Sequence, residues 1–285
     1  MPLDVIEYAG CRITHDEMRK EVSAEAQSNI KNKKSFLCLG LDTDIDKIPK
    51  HLLHNSDPVF EFNKVLIDEL NKKIVAVKLN TAFYESRGAA GWMSMEKTID
   101  YLNRYYPNLF TIADAKRGDI GNTSKMYAKA FFENLNFDSI TLSPYMGMDT
   151  VSEFLAYDEK YPILLALTSN QGSNDFQMPN NLYETVITKS MNIKGAKKIM
   201  FVVGATKSDF LKHIRKIIPD NFILIPGVGA QGADIVEVVN SSTDLENKKI
   251  LINVSRSIIY AGNDENFVVE ASKKADELNN SIKFK

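Results

Sequence analysis

Cysteine is scarce in this chain: Cys11 and Cys38 are the two present, and their spacing is not that of a metal-ligand set. Cys38 lies inside an apolar run and reads as a reduced, buried thiol, which fits a reducing compartment. Basic charge is not in surplus either. With 35 Lys plus Arg against 37 Asp plus Glu, the formal charge is −2 over 285 residues, so nothing argues for nucleic acid or an anionic membrane as partner. Small-molecule chemistry is the expectation. No apolar run approaches membrane-spanning length, and Met1 to Arg19 lacks a basic stretch followed by an apolar core, so the chain reads as soluble and cytoplasmic. Linkers rich in Pro, Gly or Ser are missing, as are self-similar repeats, and one domain over residues 1–285 is the simplest organisation.

What the chain does have is a regular alternation of short apolar runs and amphipathic segments. Eight candidate strands fall at Ser35 to Asp42, Ile74 to Asn80, Phe110 to Lys116, Ser139 to Pro144, Pro162 to Ser169, Lys198 to Ala205, Phe222 to Gly227 and Ile250 to Arg256. Between and after them lie helix-like segments: Val59 to Leu70, Met95 to Tyr105, Thr123 to Asn134, Thr150 to Tyr157, Leu182 to Met191, Asp209 to Ile217, Ala233 to Asn240 and Phe267 to Leu278. Strands that are apolar throughout, rather than alternately, belong to a parallel sheet covered by helices. An α/β fold follows, and a closed (β/α)₈ TIM barrel is preferred over an open doubly wound sheet. Only a ring brings the informative residues after strands one, two, three, five, seven and eight to one mouth. The segment Asp16 to Asn32 reads as an extra N-terminal helix over the barrel floor, and Ser169 to Asn181 as a long loop.

The most informative stretch is Asp114-Ala115-Lys116-Arg117-Gly118-Asp119-Ile120-Gly121-Asn122-Thr123, at the end of the third apolar run. Side chains two apart share a face of a strand, so Asp114 and Lys116 are expected side by side, with Asp119 in the following turn. Lys78 ends the second run and Asp42 the first. At the seventh strand end, Pro226-Gly227-Val228-Gly229-Ala230-Gln231-Gly232 is dense enough in glycine for backbone N–H groups to approach an anion. Arg256 follows the eighth run in Ser255-Arg256-Ser257, and barrels often bind phosphate between these two loops.

Taken together, these segments resemble the orotidine 5′-phosphate decarboxylase family, from Leu39-Gly40-Leu41-Asp42 to Ser255-Arg256-Ser257. The Asp-x-Lys-x-x-Asp string at Asp114, Lys116 and Asp119 carries the resemblance. Val77-Lys78-Leu79-Asn80, Ala82-Phe83-Tyr84-Glu85, Thr168-Ser169-Asn170-Gln171-Gly172 and the Pro226 loop support it in the same order. The pattern is similar to the longer bacterial branch of the family, with Leu79 standing where many members have proline. The resemblance implies conversion of orotidine 5′-monophosphate to uridine 5′-monophosphate and carbon dioxide, the last step of pyrimidine nucleotide synthesis, with no cofactor and no metal.

The implied catalytic residues are Lys78, Asp114, Lys116 and Asp119, with Asp119 entering from the neighbouring subunit of a homodimer and Lys116 protonating C6 of the pyrimidine. The implied substrate-binding residues are Asp42, Ile120, Thr123, Ser169, Pro226, Gly229, Gln231, Ser255 and Arg256. Of these, Ile120 and Thr123 reach the partner's site, Ser169 meets the pyrimidine, and Gln231 and Arg256 hold the phosphate. Loss of carbon dioxide leaves an in-plane carbanion that the ring cannot delocalise, so a fixed ammonium beside C6 is what the chemistry wants. Two rivals remain. A magnesium-dependent sugar-phosphate decarboxylase or aldolase of related barrel type needs oxygen ligands where Lys78 stands. A non-catalytic nucleotide-binding barrel has no use for a buried charged quartet. Trp92 and Met93 are expected to pack, His15, His51, His54 and His213 to be structural or on the surface, and Glu85 to pair within the loop after strand two, while Arg117 is assigned no role.

Overall fold

A computed structural model, which describes residues 22–228, 234–242 and 248–282, closes the eight runs into a ring of parallel strands. They are β1 (Leu37–Gly40), β2 (Ala76–Asn80), β3 (Phe110–Arg117), β4 (Ser139–Leu142), β5 (Tyr161–Leu167), β6 (Met200–Val203), β7 (Ile223–Pro226) and β8 (Ile250–Val254). Each pairs with the next, and β8 returns to β1, so that Cys38 stands between Ala76 and Asn253. Every residue of β1, β4, β6 and β8 is buried, which is why these stretches are continuously apolar or small.

The helices are α1 (Val22–Lys33), α2 (Pro58–Leu70), α3 (Thr81–Glu85), α4 (Gly88–Tyr105), α5 (Gly121–Ala128), α6 (Met148–Leu155), α7 (Ser173–Phe176), α8 (Leu182–Ser190), α9 (Ser208–Ile217), α10 (Ile235–Ser242), α11 (Arg256–Ile259) and α12 (Phe267–Ser281). Helix α2 shows how local chemistry sets them. The Asp57 carboxylate accepts the Phe60 N–H at 3.2 Å and Pro58 occupies the first turn, fixing the start. Val59, Phe62, Asn63, Leu66, Ile67 and Leu70 then fall on one face and are buried. Phe62 stacks on Phe267 of α12 with centroids 5.2 Å apart, which joins the last helix to the second.

Several expectations shift. The N-terminal helix is found as α1, while residues 16–21 of the expected span lie outside the described residues. Ala26 of α1 lines a small apolar cavity together with Phe110, Tyr161, Met200, Phe222 and Leu251 at or near the amino ends of the strands, which sets α1 over the barrel floor. Helix α4 starts at Gly88 rather than Met95; Trp92, 38% exposed, packs on Phe131 with ring centroids 6.4 Å apart, while for Met93, 55% exposed, the expectation of packing is corrected, because it falls opposite the buried face of Gly91, Ser94, Met95 and Thr98. Helix α3 was not expected; the Asn80 side chain caps it by accepting the Ala82 N–H at 3.3 Å. Helix α5 runs on through a π turn, Lys129–Asn134. The stretch after β5 is no plain loop: it holds α7 and a 3₁₀ turn at Pro179–Asn181, and Gln177 Oε1 accepts the Thr168 N–H at 2.7 Å.

Candidate active site

The carboxyl ends of β1, β2 and β3 carry the charged residues to one place. Register sets Gly40 beside Lys78 and Asn80 beside Asp114. Lys78 Nζ donates to Asp42 Oδ1 at 3.2 Å and to Asp114 Oδ2 at 3.0 Å, and Lys116 Nζ donates to Asp114 Oδ1 at 2.6 Å. The order Asp42, Lys78, Asp114, Lys116 is thus an unbroken run of alternating charge whose formal sum is zero. Exposure grades along it: the Lys78 side chain is 4% exposed, Asp114 13% and Lys116 49%. The inner members are fixed by protein, and the outer ammonium is open to a ligand.

The expected pairing of Asp114 with Lys116 holds, but by a different backbone path. Strand β3 carries a bulge between Ala113 and Arg117 in its pairing with β4, and Lys116 has φ +49°. For a residue with a β-carbon, the left-handed conformation costs about 1–2 kcal/mol. Thr141 of β4 offsets this, since its hydroxyl oxygen accepts the Lys116 N–H at 2.9 Å while its O–H donates to Asp114 Oδ1 at 2.9 Å. Sequence reasoning missed Thr141. Its signal was a second hydroxyl in β4, two positions after Ser139 and so on the same face.

Burial pushes the Asp114 carboxyl toward the neutral form, but the adjacent Lys78 and Lys116 ammoniums outweigh it and hold the group well below the usual carboxylate range. For Lys78, burial pulls downward, and Asp114 with Asp42 more than reverses it, keeping the ammonium charged beyond the ordinary lysine range. Beneath them, burial raises the Cys38 thiol to about 12, so it stays protonated, as its place in an apolar run implied.

The remaining predicted residues divide by loop. Asp119 is half-buried just before α5; its carboxylate accepts the Ile120 N–H at 2.7 Å, and it pairs with no lysine among the described residues. Ile120 and Thr123 are exposed beside it. Ser169 is half-buried after β5, with its carbonyl accepting from Thr206 Oγ1 at 3.0 Å. Gly204 explains the closeness of these loops, because a β-carbon there would lie 2.5 Å from Ser169 Cα.

Pro226 ends β7 opposite Asn253, and Arg256 is exposed at the start of α11. Ser255 Oγ and Asn253 Oδ1 are buried with no hydrogen-bond partner among the described residues. Gly229 and Gln231 lie outside the described residues. Glu85, expected to pair locally, pairs with Arg117, to which no role was assigned. The histidines are on the surface as expected, where described: His51 and His54 are exposed, and His213 Nε2 meets Glu184 at 3.0 Å. Among the described residues, no group of three or more His, Cys, Asp or Glu side chains is placed to hold a metal ion.

The chain is similar in sequence and fold to known proteins. Residues 35–271 match the model of the orotidine 5′-phosphate decarboxylase / HUMPS family. A Christiangramia forsetii protein named orotidine 5′-phosphate decarboxylase is 54% identical over 264 residues, covering 91% of this chain and 97% of its own. The fold also superposes on the solved Leishmania donovani OMP decarboxylase, with TM-score 0.75, 30% identity, and coverage of 91% of this chain and 99% of that one. A second L. donovani structure, UMP synthase, gives TM-score 0.76 and 32% identity over 90% of this chain, which spans 56% of that longer protein. With the barrel, the strand-end charges and these matches in agreement, the chain belongs to the orotidine 5′-phosphate decarboxylase / HUMPS family.

Proposed function

We propose that this chain decarboxylates orotidine 5′-monophosphate to uridine 5′-monophosphate, the last step of UMP biosynthesis, using its own side chains. The observation that carries this reading is the alternating run from Asp42 through Lys78 and Asp114 to Lys116. When the bond from C6 to the carboxylate breaks, its electron pair stays on C6. Lys116 Nζ then gives a proton to that carbon. The ammonium attracts the developing charge most when the site is dry: two unit charges at ~4 Å interact by about 1 kcal/mol in water but roughly 4 at an effective dielectric near 20.

Lys78 sits between two carboxylates at 3.2 and 3.0 Å, where a divalent cation would otherwise find oxygen ligands. That position favours metal-free decarboxylation over the magnesium-dependent sugar-phosphate chemistry of related barrels. At the other side of the mouth, exposed Arg256 and the Ser255 hydroxyl, which has no partner among the described residues, fit the 5′-phosphate together with the loop after β7, and Ser169 fits the pyrimidine. Phosphate contacts remote from C6 lower the barrier by driving loop closure.

The active form is a homodimer in this reading. Asp119 pairs with no lysine among the described residues, and Ile120, Met126, Tyr145 and Met146 expose apolar surface on the loops and helix after β3 and β4. Asp119, Ile120 and Thr123 of one subunit then complete the site of the other, setting a second carboxylate against the ammoniums. A protonated Cys38 and the lack, among the described residues, of any helix long and apolar enough to cross a membrane are compatible with a cytoplasmic enzyme.

The test is ultraviolet-monitored conversion of orotidine 5′-monophosphate by purified protein with EDTA present, beside Lys116→Ala. Substrate loss in the parent and none in the variant, which still binds the nucleotide, is expected. A requirement for Mg²⁺, or tight binding without turnover in the parent, would overturn the reading.

A further inference from the structure

We propose that Arg117 and Glu85 form a positioning pair that holds Lys116 in its left-handed conformation, and so sets where the Lys116 ammonium stands. Lys116 lies in the β3 bulge with φ +49°, a conformation that a side-chain-bearing residue keeps only when its surroundings impose it. On one side the imposing group is Thr141, which accepts the Lys116 N–H, while the Ser143 N–H donates to the Arg117 carbonyl at 2.8 Å. On the other side stands the Arg117 guanidinium. Its Nη1 donates back to the Ala115 carbonyl at 3.1 Å, and its Nη2 pairs with Glu85 Oε1. It also sits over the rings of Tyr127 at 5.4 Å and Phe131 at 5.7 Å.

The Ala115–Lys116 peptide is therefore held at both ends, its N–H by Thr141 of β4 and its carbonyl by this arginine, while Ser143 holds the Arg117 carbonyl that follows. Glu85 ends α3, which starts directly after β2, the strand that carries Lys78. The pair thus ties the loop after β2 to the bulge in β3, fixing the spacing between the two ammoniums that share Asp114. Only a planar fork can serve the Ala115 carbonyl and the Glu85 carboxylate at once while stacking on two rings; a lysine offers one ammonium at one point.

The inference rests on Lys116 being the proton donor, so its tests separate that assignment from the positioning. Kinetically, Arg117→Lys and Glu85→Gln should each lower kcat by about 10²-fold, the cost of a reactive group displaced by roughly 1 Å. KM and UMP affinity should stay within about threefold, since in this reading neither residue touches the nucleotide. Guanidinium ion added to Arg117→Ala should restore part of kcat, and Glu85→Gln/Arg117→Lys should be no worse than the worse single variant. Structurally, Lys116 in Glu85→Gln should leave the left-handed region and its ammonium should move out of hydrogen-bond reach of Asp114, a readout independent of activity.

Retention of that conformation and of the Lys116 to Asp114 hydrogen bond in both Glu85→Gln and Arg117→Lys overturns the positioning. So does a fall in melting temperature with unchanged kcat per folded molecule. A Lys116 ammonium displaced from Asp114 in an enzyme that turns over at the parent rate overturns instead the role of Lys116 as proton donor.

Discussion

Asp114→Asn is the perturbation that most directly strains the site's electrostatics. The carboxylate bridges two ammoniums, at 3.0 Å from Lys78 and 2.6 Å from Lys116. A unit pair 3.0 Å apart is worth roughly 5 kcal/mol at an effective dielectric near 20. That figure applies best to Lys78, whose side chain is 4% exposed; Lys116, at 49%, is screened by water and its share falls to about 1 kcal/mol or less. Asparagine keeps the shape and leaves Lys78 paired with Asp42 alone. The expected stability loss is about 3 kcal/mol, the low end for breaking a buried pair, because one counter-charge remains. Turnover should fall by about 10²–10³-fold, the usual cost of removing one preorganised electrostatic group. Urea unfolding monitored by circular dichroism gives the first number, and ultraviolet-monitored turnover at saturating substrate the second. A variant within about 0.5 kcal/mol and threefold of the parent would refute the claim that Asp114 organises both lysines, since surface changes commonly fall in that stability range.

Arg256→Ala should weaken use of the phosphorylated substrate through kcat/KM while barely changing any turnover of orotidine itself; equal losses on both substrates would remove Arg256 from the phosphate grip. Stability should depend on pH at both extremes. The Asp114 carboxyl lies below its unfolded value near 3.9, so its contribution is present above about pH 4 and is lost as pH falls from there. Lys78 lies above its unfolded value near 10.4, so its contribution is complete below about pH 10 and lost as pH rises further. Denaturant midpoints measured against pH in the parent and in Asp114→Asn check the acid limb, which should flatten in the variant. Gly204→Ala places a β-carbon 2.5 Å from Ser169 and should cost about 1–3 kcal/mol while raising KM; wild-type stability and KM would show that the two loops are not in forced contact.

The barrel is legible in the chain because eight buried parallel strands require eight apolar runs, and their ends carry ionisable residues that have no packing reason to be there. Asp114, Lys116 and Lys78 could be read for that reason, although Lys116 reaches Asp114 through a bulge rather than by regular strand alternation. What escaped reading was held by contacts distant in sequence. Thr141 looks like any strand threonine until β4 is laid beside β3, and the Arg117 to Glu85 pair spans 32 positions. The bulge at Lys116 was hidden because Ala115-Lys116-Arg117 carries no glycine to announce a positive φ. Met93 was misjudged since the start of α4 at Gly88, and with it the phase of its first turn, depends on the turn after α3, a short helix with little periodic signal of its own. Asp42 was read as a ligand contact, and its pairing as the inner counter-ion of Lys78 was not foreseen.

The cancelling charges of the run from Asp42 to Lys116 bear on how a substrate arrives. A set that sums to zero casts little field beyond its own dimensions, and the chain as a whole carries −2, so neither draws a phosphate dianion from a distance. If Arg256 grips the phosphate as proposed, capture falls to the rim, where its side chain stands exposed and free of any carboxylate among the described residues. Rising ionic strength should therefore slow encounter without altering the rate of bond cleavage once the nucleotide is seated, because the inner charges see each other across distances far shorter than the Debye length, about 10 Å at 0.1 M salt. On the proposed reading, the molecule divides its electrostatics by range, with a salt-sensitive handhold at the mouth and a salt-blind reaction centre within.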